Sequence, residues 1–307
     1  MNVEPQDDPT RPLAALPPGS CDCHVHLFDA ARFPFAPNRS YTPGRACVAD
    51  LLAFEARLGI ERIVLVQPSV YGTDNAAMLT GLQELGLHRA RGVAVIDPQR
   101  ATHAELQTLH DQGVRGIRLN LQVRGERDLS IASAQLRRAS DAVAPLGWAV
   151  QIYADLDVVA GLASNIAGLD TPVVLDHFAG ARADKLADQA TAFATVIDLV
   201  KHGNAYVKLS APYRASRQTP RFDDLAPIAR ALIDARADRV LWASDWPHTG
   251  SAGNRDGDLS RIEPFRREDA GGALNQLLGW ANDAALRQRI LVDNPARLYR
   301  FAERPAA

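Results

Sequence analysis

Three histidines and one aspartate are the residues whose types and spacing could do chemistry. The run SCDCHVHL (20–27) holds His24 and His26 two positions apart, and side chains two apart on a strand share one face. Two later apolar runs end in LDHFAG, with His177, and in WASDWPHT, with Asp245. Imidazoles and a carboxylate that converge can chelate a metal or act as an acid–base group. We predict that these four side chains form one site.

The cysteines of the first run alternate with its histidines. Strict alternation places Cys21 and Cys23 on the face opposite His24 and His26, so a zinc knuckle is not expected. We interpret both thiols as small packing residues. The chain has three cysteines in all, which is too few for a disulfide framework and indicates a reducing compartment.

The strands that must position these residues number eight and alternate with helix-like stretches. Several are almost continuously apolar, as expected for parallel strands buried on both faces. This pattern predicts a single-domain α/β fold, a (β/α)8 TIM barrel. A doubly wound sheet is the rival, but no glycine-rich phosphate turn follows the first strand. The strand candidates are residues 20–27, 62–67, 91–96, 114–119, 148–153, 173–177, 205–210 and 240–244.

Helices and two long connections fill the rest of the chain. Residues 1–19 are predicted as an N-terminal extension and residues 20–303 as the barrel. The connections 28–49 and 246–262 follow strand C-terminal ends, where barrel active sites are built, so we expect them to form substrate walls. The helix candidates are 50–58, 75–85, 103–112, 130–143, 184–200, 223–235 and 284–291, with C-caps expected at Gly59, Gly86, Gly113 and Gly203.

Composition argues against several classes of partner. The 307 residues are 47% hydrophobic, which allows a large core, and carry 34 basic against 36 acidic side chains. No block of like charge is present, which argues against nucleic acid or a membrane surface as partner. No run approaches the ~18 apolar residues of a membrane helix, and the N-terminus lacks the pattern of a secretory signal. We expect a cytoplasmic protein, and a homo-oligomer is compatible with the sequence.

Motifs along nearly the whole chain resemble one family. As a set they are similar to the amidohydrolase superfamily, of the amidohydrolase-2 type. They match in particular the branch with 2-pyrone-4,6-dicarboxylate hydrolase, 4-sulfomuconolactone hydrolase and galactarolactone isomerase, and the resemblance implies the same barrel fold. The motifs are DCHVH (22–26), FPFAPNRSYTP (33–43), QPSVYGTDN (67–75), GVRGIRLN (113–120), VVLDHFAG (173–180), KLSAPYR (208–214), LWASDWPH (241–248) and DNPARLYRF (293–301).

The resemblance also bears on metal. Binuclear members have a bridging lysine or glutamate at strand four and a histidine at strand five, whereas here these strands end RLN (118–120) and QIY (151–153). Lys208 lies on strand seven, where no bridging role is expected, so a binuclear centre is not predicted. The branch is regarded as able to work without metal, and no cofactor is the favoured prediction. The alternative is a single zinc or manganese ion held by His24, His26 and Asp245.

The activity that the resemblance implies is ring opening of a small anionic lactone, carboxylated or sulfonated, such as a pyrone dicarboxylate or a muconolactone. Aromatic-compound catabolism is the expected setting. Asp245 would deprotonate the attacking water. His24 and His26 would hold that water and stabilise the oxyanion, and His177 would polarise the carbonyl. Three alternatives stay open: a lactone isomerase acting on an aldarolactone such as galactarolactone, a metal-dependent decarboxylase of the same superfamily, and a small-molecule binding protein.

Cationic and hydroxyl side chains near the strand ends are the candidates for binding the substrate. The planar fork of arginine suits a carboxylate or sulfonate, and Arg118 and Arg214 are predicted on opposite sides of the barrel mouth. Arg127 is expected to be solvated. The substrate-binding candidates are Arg118, Arg124, Arg214, Tyr41, Tyr153, Ser69 and His248, with Tyr213 as a further hydroxyl.

Overall fold

Eight parallel strands form a nearly closed barrel in the computed structural model, which describes residues 10–250 and 258–302. The predicted (β/α)8 architecture is confirmed, and every barrel strand lies where the apolar runs predicted it. The strands, in the order in which they pair, are β1 Cys21–Val25, β3 Arg62–Val66, β4 Ala90–Ala94, β5 Val114–Asn120, β6 Ala149–Tyr153, β7 Val173–Leu175, β8 Ala205–Ser210 and β9 Val240–Ala243.

A short seam joins β1 to the chain that follows β9. Val25 bridges Trp246, the N–H of Asp245 donates to the carbonyl of His24 at 3.1 Å, and the N–H of His26 donates to Trp246 at 2.9 Å. His24, His26 and Asp245, which were predicted to do chemistry, therefore also join the first barrel strand to the chain after the last one.

Helices surround the barrel and broadly follow the predicted pattern. The helix predicted over 184–200 begins only at Ala190, because residues 183–185 form a separate 3-10 turn. Gly59 caps α1 in the left-handed conformation, as expected for glycine. The helices are α1 Val48–Leu58, α2 Ala76–Leu85, α3 His103–Asp111, α4 Leu121–Arg124, α5 Leu129–Val143, α6 Leu156–Gly161, α7 Ala163–Ala167, α8 Ala190–His202, α9 Pro212–Ala215, α10 Ala226–Arg236, α11 Ala270–Trp280, α12 Ala284–Gln288 and α13 Asn294–Tyr299.

The prediction of strict side-chain alternation along β1 is wrong. Its register against β3 shifts between Asp22 and Val25. Cys21 and Cys23 pack in the cluster that fills the barrel interior, while Val25 belongs to the outer core. His24 nevertheless faces inward as well, since a bulge lets consecutive residues keep the same side. Both thiols are free and buried among apolar side chains, which agrees with packing.

The two long connections meet over the barrel mouth. Strand β2 (Thr42–Pro43) lies in the first connection and pairs in parallel with β10 (Ile262–Glu263), which begins at the last residue of the second. Residues 251–257 of the second connection lie outside the described part of the chain. Among the helices of the described residues, none combines the length and apolar character needed to cross a membrane.

Candidate active site

The structure brings the four predicted catalytic side chains to one point at the C-terminal end of the barrel. Asp245 Oδ1 lies 3.7 Å from His24 Nε2, 3.8 Å from His26 Nε2 and 4.0 Å from His177 Nε2. The Nε2 atoms of His24 and His26 are 3.2 Å apart. All four residues are buried, so their charges interact with little screening by water.

Unusual backbone conformations aim two of these side chains. His177 follows β7 with φ 51°, and Asp245 follows β9 with φ 65°. Non-glycine residues rarely adopt positive φ, and the strain is tolerated where the surrounding structure over-determines it. The backbone hydrogen bond from Asp245 to His24 is one such constraint. The turns direct both side chains into the barrel mouth.

Hydrogen bonds at Nδ1 set what each imidazole offers at Nε2. His26 Nδ1 lies 2.7 Å from the carbonyl of Val66, which can only accept, so His26 carries its proton there and presents a lone pair at Nε2. His177 Nδ1 lies 2.9 Å from the hydroxyl of Ser210, which can donate or accept. Burial lowers the pKa of His26 and of His177 to about 4. Both rings are therefore neutral at pH 7.

A charged network lies directly beneath His24. Its Nδ1 is 3.2 Å from Asp176 Oδ1 and 3.3 Å from Lys208 Nζ. Lys208 and Asp176 form an ion pair at 3.3 Å, and Gln151 bonds to both of them. Arg118 Nη2 reaches Asp176 at 3.4 Å. Burial would raise the pKa of Asp176, but Lys208 and His24 hold it well below its usual value.

The sequence did not single out this network. Asp176 directly precedes His177, and a buried acid within an apolar run was the available signal. Lys208 was noted only as an unsuitable metal bridge. The structure gives it a partner instead, because its ammonium group neutralises Asp176.

The second oxygen of Asp245 is held by two donors. Tyr213 donates its hydroxyl to Oδ2 at 2.6 Å and Arg214 donates from Nε at 3.1 Å. Burial alone would raise the pKa of Asp245, but the guanidinium of Arg214 and the imidazoles of His177, His24 and His26 together keep the pKa well below its usual value. Tyr213, expected to bind substrate, thus contacts the carboxylate. Oδ1 is the oxygen that faces the imidazoles.

A cavity of about 240 Å³ opens above these groups. Of the other candidates, His248 is buried behind Tyr213, with ring centroids 6.0 Å apart, and does not line the cavity. The side chain of Arg124 lies outside the described part of the chain. Arg127 is 80% exposed and pairs with Asp155. Six predicted substrate-binding residues line the cavity: Tyr41, Ser69, Arg118, Tyr153, Tyr213 and Arg214.

The donor set suits one divalent ion. Ligand atoms of His24, His177 and Asp245 all lie within 4.8 Å of one another, and imidazole nitrogen with carboxylate oxygen suits zinc. The metal ligands predicted from the sequence included His26 and not His177. His26 Nε2 lies close to the same ligand atoms, 3.2 Å from His24 Nε2 and 3.8 Å from Asp245 Oδ1. The ends of β5 (RLN, 118–120) and β6 (QIY, 151–153) offer no lysine, carboxylate or histidine for a second ion.

Comparison with known proteins gives consistent results. A sequence model of the amidohydrolase family matches residues 21–301. The 4-sulfomuconolactone hydrolase of Rhizobium radiobacter is 36% identical over 290 residues, covering 93% of this chain and 91% of that protein. The 2-pyrone-4,6-dicarboxylate hydrolase of Comamonas testosteroni is 36% identical over 302 residues, covering 95% and 93%. The D-galactarolactone isomerase of Agrobacterium fabrum is 26% identical, covering 95% of each.

A solved structure agrees with the fold. It is that of a probable 2-pyrone-4,6-dicarboxylic acid hydrolase from Acinetobacter baumannii with citric acid bound. This chain matches it with a TM-score of 0.74 and 27% identity, covering 92% of this chain and 100% of that one.

Proposed function

Because this chain belongs to the amidohydrolase family, we propose that it hydrolyses a small anionic lactone, carboxylated or sulfonated. One observation carries the proposal. Asp245 Oδ1 faces three imidazole Nε2 atoms within 4.0 Å, at the floor of a cavity that Arg118 and Arg214 line. A base beside a place for water, under cations that suit an anionic substrate, is what lactone opening requires. The activities named for the relatives support it.

The first step is attack by water. Asp245 Oδ1 takes one proton from water while Tyr213 and Arg214 hold Oδ2 in place. His26 presents only a lone pair at Nε2, which accepts either from His24 Nε2, 3.2 Å away, or from the second hydrogen of the water. A neutral ring with that tautomer cannot donate to an oxyanion, which narrows the role that the sequence suggested for His26.

His177 is the better donor to the carbonyl. When Ser210 donates its hydroxyl to Nδ1, the Nε2 of His177 carries the ring proton and points at the site. A hydrogen bond from Nε2 then stabilises the oxyanion as hydroxide adds to the carbonyl carbon. The bond to the ring oxygen breaks, and Asp245 returns its proton to that oxygen. The product is an open chain with one new hydroxyl and one new carboxylic acid, which releases its proton to solvent at pH 7.

A single divalent ion, when bound, would be held by His24, His177 and Asp245 and would supply Lewis-acid polarisation and a more acidic water. We keep metal-independent turnover as the proposal, together with aromatic-compound catabolism and a cytoplasmic location. Tyr41, Ser69 and Tyr153 are proposed to complete the substrate pocket, which all three line.

The direct test is an assay for ring opening of 2-pyrone-4,6-dicarboxylate and 4-sulfomuconolactone, in which the reaction is monitored as the loss of ring absorbance. Asp245→Asn should lower turnover by at least ~10²-fold, the usual scale for a general base. Asp198→Asn, an exposed change on α8, is the matched control and should leave turnover unaltered. If neither lactone is opened, the hydrolase proposal fails. Conversion of D-galactarolactone to an isomer in place of an acid would favour the isomerase.

A further inference from the structure

Lys208 is a buried cation that the proposed mechanism does not use. It lies on β8, is 0% exposed, and its ammonium nitrogen is 3.3 Å from Nδ1 of His24. Burying an ammonium group is costly even when a carboxylate pairs with it. A cation kept at this cost directly beneath a candidate catalytic imidazole therefore indicates a task at that imidazole.

The groups around Lys208 fix the direction of each hydrogen bond. Lys208 Nζ donates to Gln151 Oε1 at 2.7 Å, and Gln151 Nε2 donates to Asp176 Oδ2 at 2.9 Å. An ammonium only donates and a carboxylate only accepts, so the amide of Gln151 has one orientation. Gln151 takes one ammonium hydrogen of Lys208, and another is available for Nδ1 of His24.

Nδ1 of His24 lies between a donor and an acceptor. Lys208 Nζ forms a hydrogen bond with it at 3.3 Å. Asp176 Oδ1 lies 3.2 Å away, but this oxygen has no hydrogen-bond partner among the described residues. The carboxylate thus attracts its neighbours electrostatically without accepting an N–H from the ring. Nδ1 of His24 therefore carries a lone pair, to which Lys208 donates.

The other nitrogen of His24 leads independently to the same assignment. His24 Nε2 lies 3.2 Å from His26 Nε2. His26 carries its proton at Nδ1, facing the carbonyl of Val66, so its Nε2 can only accept. Two lone pairs would repel each other at this distance, whereas a hydrogen on His24 Nε2 makes the contact a hydrogen bond. A neutral imidazole with that hydrogen has its lone pair at Nδ1, where Lys208 lies.

We propose that Lys208 is a positioning residue that holds His24 in the tautomer with its hydrogen on Nε2. The hydrogen bonds then run in one direction, from Lys208 to His24 and from His24 to His26. His26 in turn donates to the carbonyl of Val66. This chain fixes the ring of His26, which lines the catalytic cavity and faces Asp245 Oδ1. The effect on turnover rests on the proposed lactone hydrolysis, whereas the tautomer does not.

Changes at Lys208 and Asp176 should move the hydrogen of His24 in opposite directions. Lys208→Met removes the donor and leaves a carboxylate facing Nδ1, so the hydrogen should move to Nδ1. Adding Asp176→Asn should return it to Nε2. The amide oxygen then replaces Oδ2, which accepts from Gln151, and the NH₂ group replaces Oδ1 and donates to His24. ¹⁵N NMR of histidine-labelled protein measures the tautomer, with the His24 signals identified by their loss in His24→Gln.

Turnover of the lactone should follow the tautomer. In Lys208→Met two imidazole lone pairs face each other, and kcat should fall about tenfold, the effect of one lost hydrogen bond, while KM stays within about threefold. The double variant should recover most of this loss, although it lacks both charges. Lys201→Met, an exposed change on α8, is the matched control and should alter neither the His24 signals nor kcat.

Neutron diffraction of wild type, which locates hydrogens, tests the proposal without any variant. It should show a hydrogen on His24 Nε2 and none on Nδ1. A hydrogen on Nδ1 in wild type, or an unchanged tautomer in Lys208→Met, would overturn the role of Lys208. A restored tautomer without recovered kcat would overturn its part in turnover. Failure of wild type to open any lactone would refute the proposed function and leave the tautomer measurements standing.

Discussion

At the scale of single residues, Asp245 is a base whose two oxygens have different tasks. Oδ2 is fixed by Tyr213 and Arg214, and Oδ1 faces the imidazoles. The cation that fixes the carboxylate also lowers its pKa, and a lower pKa makes a weaker base. The arrangement therefore favours a carboxylate that stays ionised and oriented over one that is strongly basic.

Replacing Arg214 with glutamine should raise the pKa of Asp245. Without the adjacent cation, the carboxylate protonates at a higher pH, and the acid limb of kcat/KM should move upward by about one to three pH units. A pH–rate profile measures the shift. Arg182→Gln is the control, because Arg182 lines the same cavity but pairs with Asp184. A raised KM with an unmoved limb would show that Arg214 only binds substrate.

Turnover should survive exhaustive chelation. The absence of lysine, carboxylate and histidine ligands at the ends of β5 (RLN, 118–120) and β6 (QIY, 151–153) motivates this prediction. The measurement is steady-state turnover before and after chelation, with metal content determined on the same samples. Activity that is lost and then returns with stoichiometric zinc or manganese would refute the prediction.

At the scale of elements, the bulged strand β1 depends on a buried acid. Asp22 accepts the N–H groups of His24 and Ser244, so its carboxylate links β1 to the chain after β9. Glu55 of α1 is fully buried, and neither of its oxygens has a hydrogen-bond partner among the described residues. Burial raises the pKa of Asp22 to about 6 and, with added repulsion from Asp22, raises that of Glu55.

Glu55→Gln should lose less stability than wild type as the pH rises. A carboxyl group with a raised pKa in the folded state contributes stability at low pH. That contribution is lost as pH rises from the unfolded pKa, near 4.5, through the folded one. Between about pH 5 and pH 8, the Tm of Glu55→Gln should gain roughly 2–4 °C relative to the Tm of wild type. This is the effect of ~1 kcal/mol in a large domain. Parallel Tm curves for the two proteins would contradict a titrating Glu55.

The eight strands and the convergence of His24, His26, His177 and Asp245 were predictable, because apolar runs and strand ends are local features. The inward orientation of both Cys23 and His24 was not. A bulge depends on pairing with β3, which β1 alone does not encode. The ion pair of Asp176, which follows β7, with Lys208 on β8 was missed because neither segment alone indicates the other partner.

At the scale of the whole molecule, the end of the barrel opposite the site is closed by the last described residues. Arg91 on β4 donates to the carbonyls of Tyr299 and Arg300, and Arg62 on β3 donates to that of Ala302. The ring of Phe301 lies under both guanidiniums, 4.7 Å from Arg91 and 5.1 Å from Arg62. We expect this closure to stabilise the barrel without taking part in the chemistry.

Phe301→Ala should therefore separate stability from catalysis. Removing this buried ring should cost about 3–5 kcal/mol of unfolding free energy in denaturant titrations. At temperatures where the variant stays folded, kcat/KM should equal that of wild type. Leu13→Ala, an exposed apolar residue, is the control for loss of side-chain surface. A changed kcat/KM in the folded variant would show that the two ends of the barrel are coupled.

The seam between β1 and β9 has a consequence for how the enzyme matures. His24 and Asp245 come from opposite ends of the barrel sequence, and they meet only when the first and last strands join. Contacts between residues so distant along the chain form late, because the entropy cost of closing a long loop precedes the favourable free energy of the contacts. A growing or refolding chain can thus acquire most of its strands and still be inert. The rate at which activity returns during refolding would therefore report the rate at which β1 joins the chain after β9.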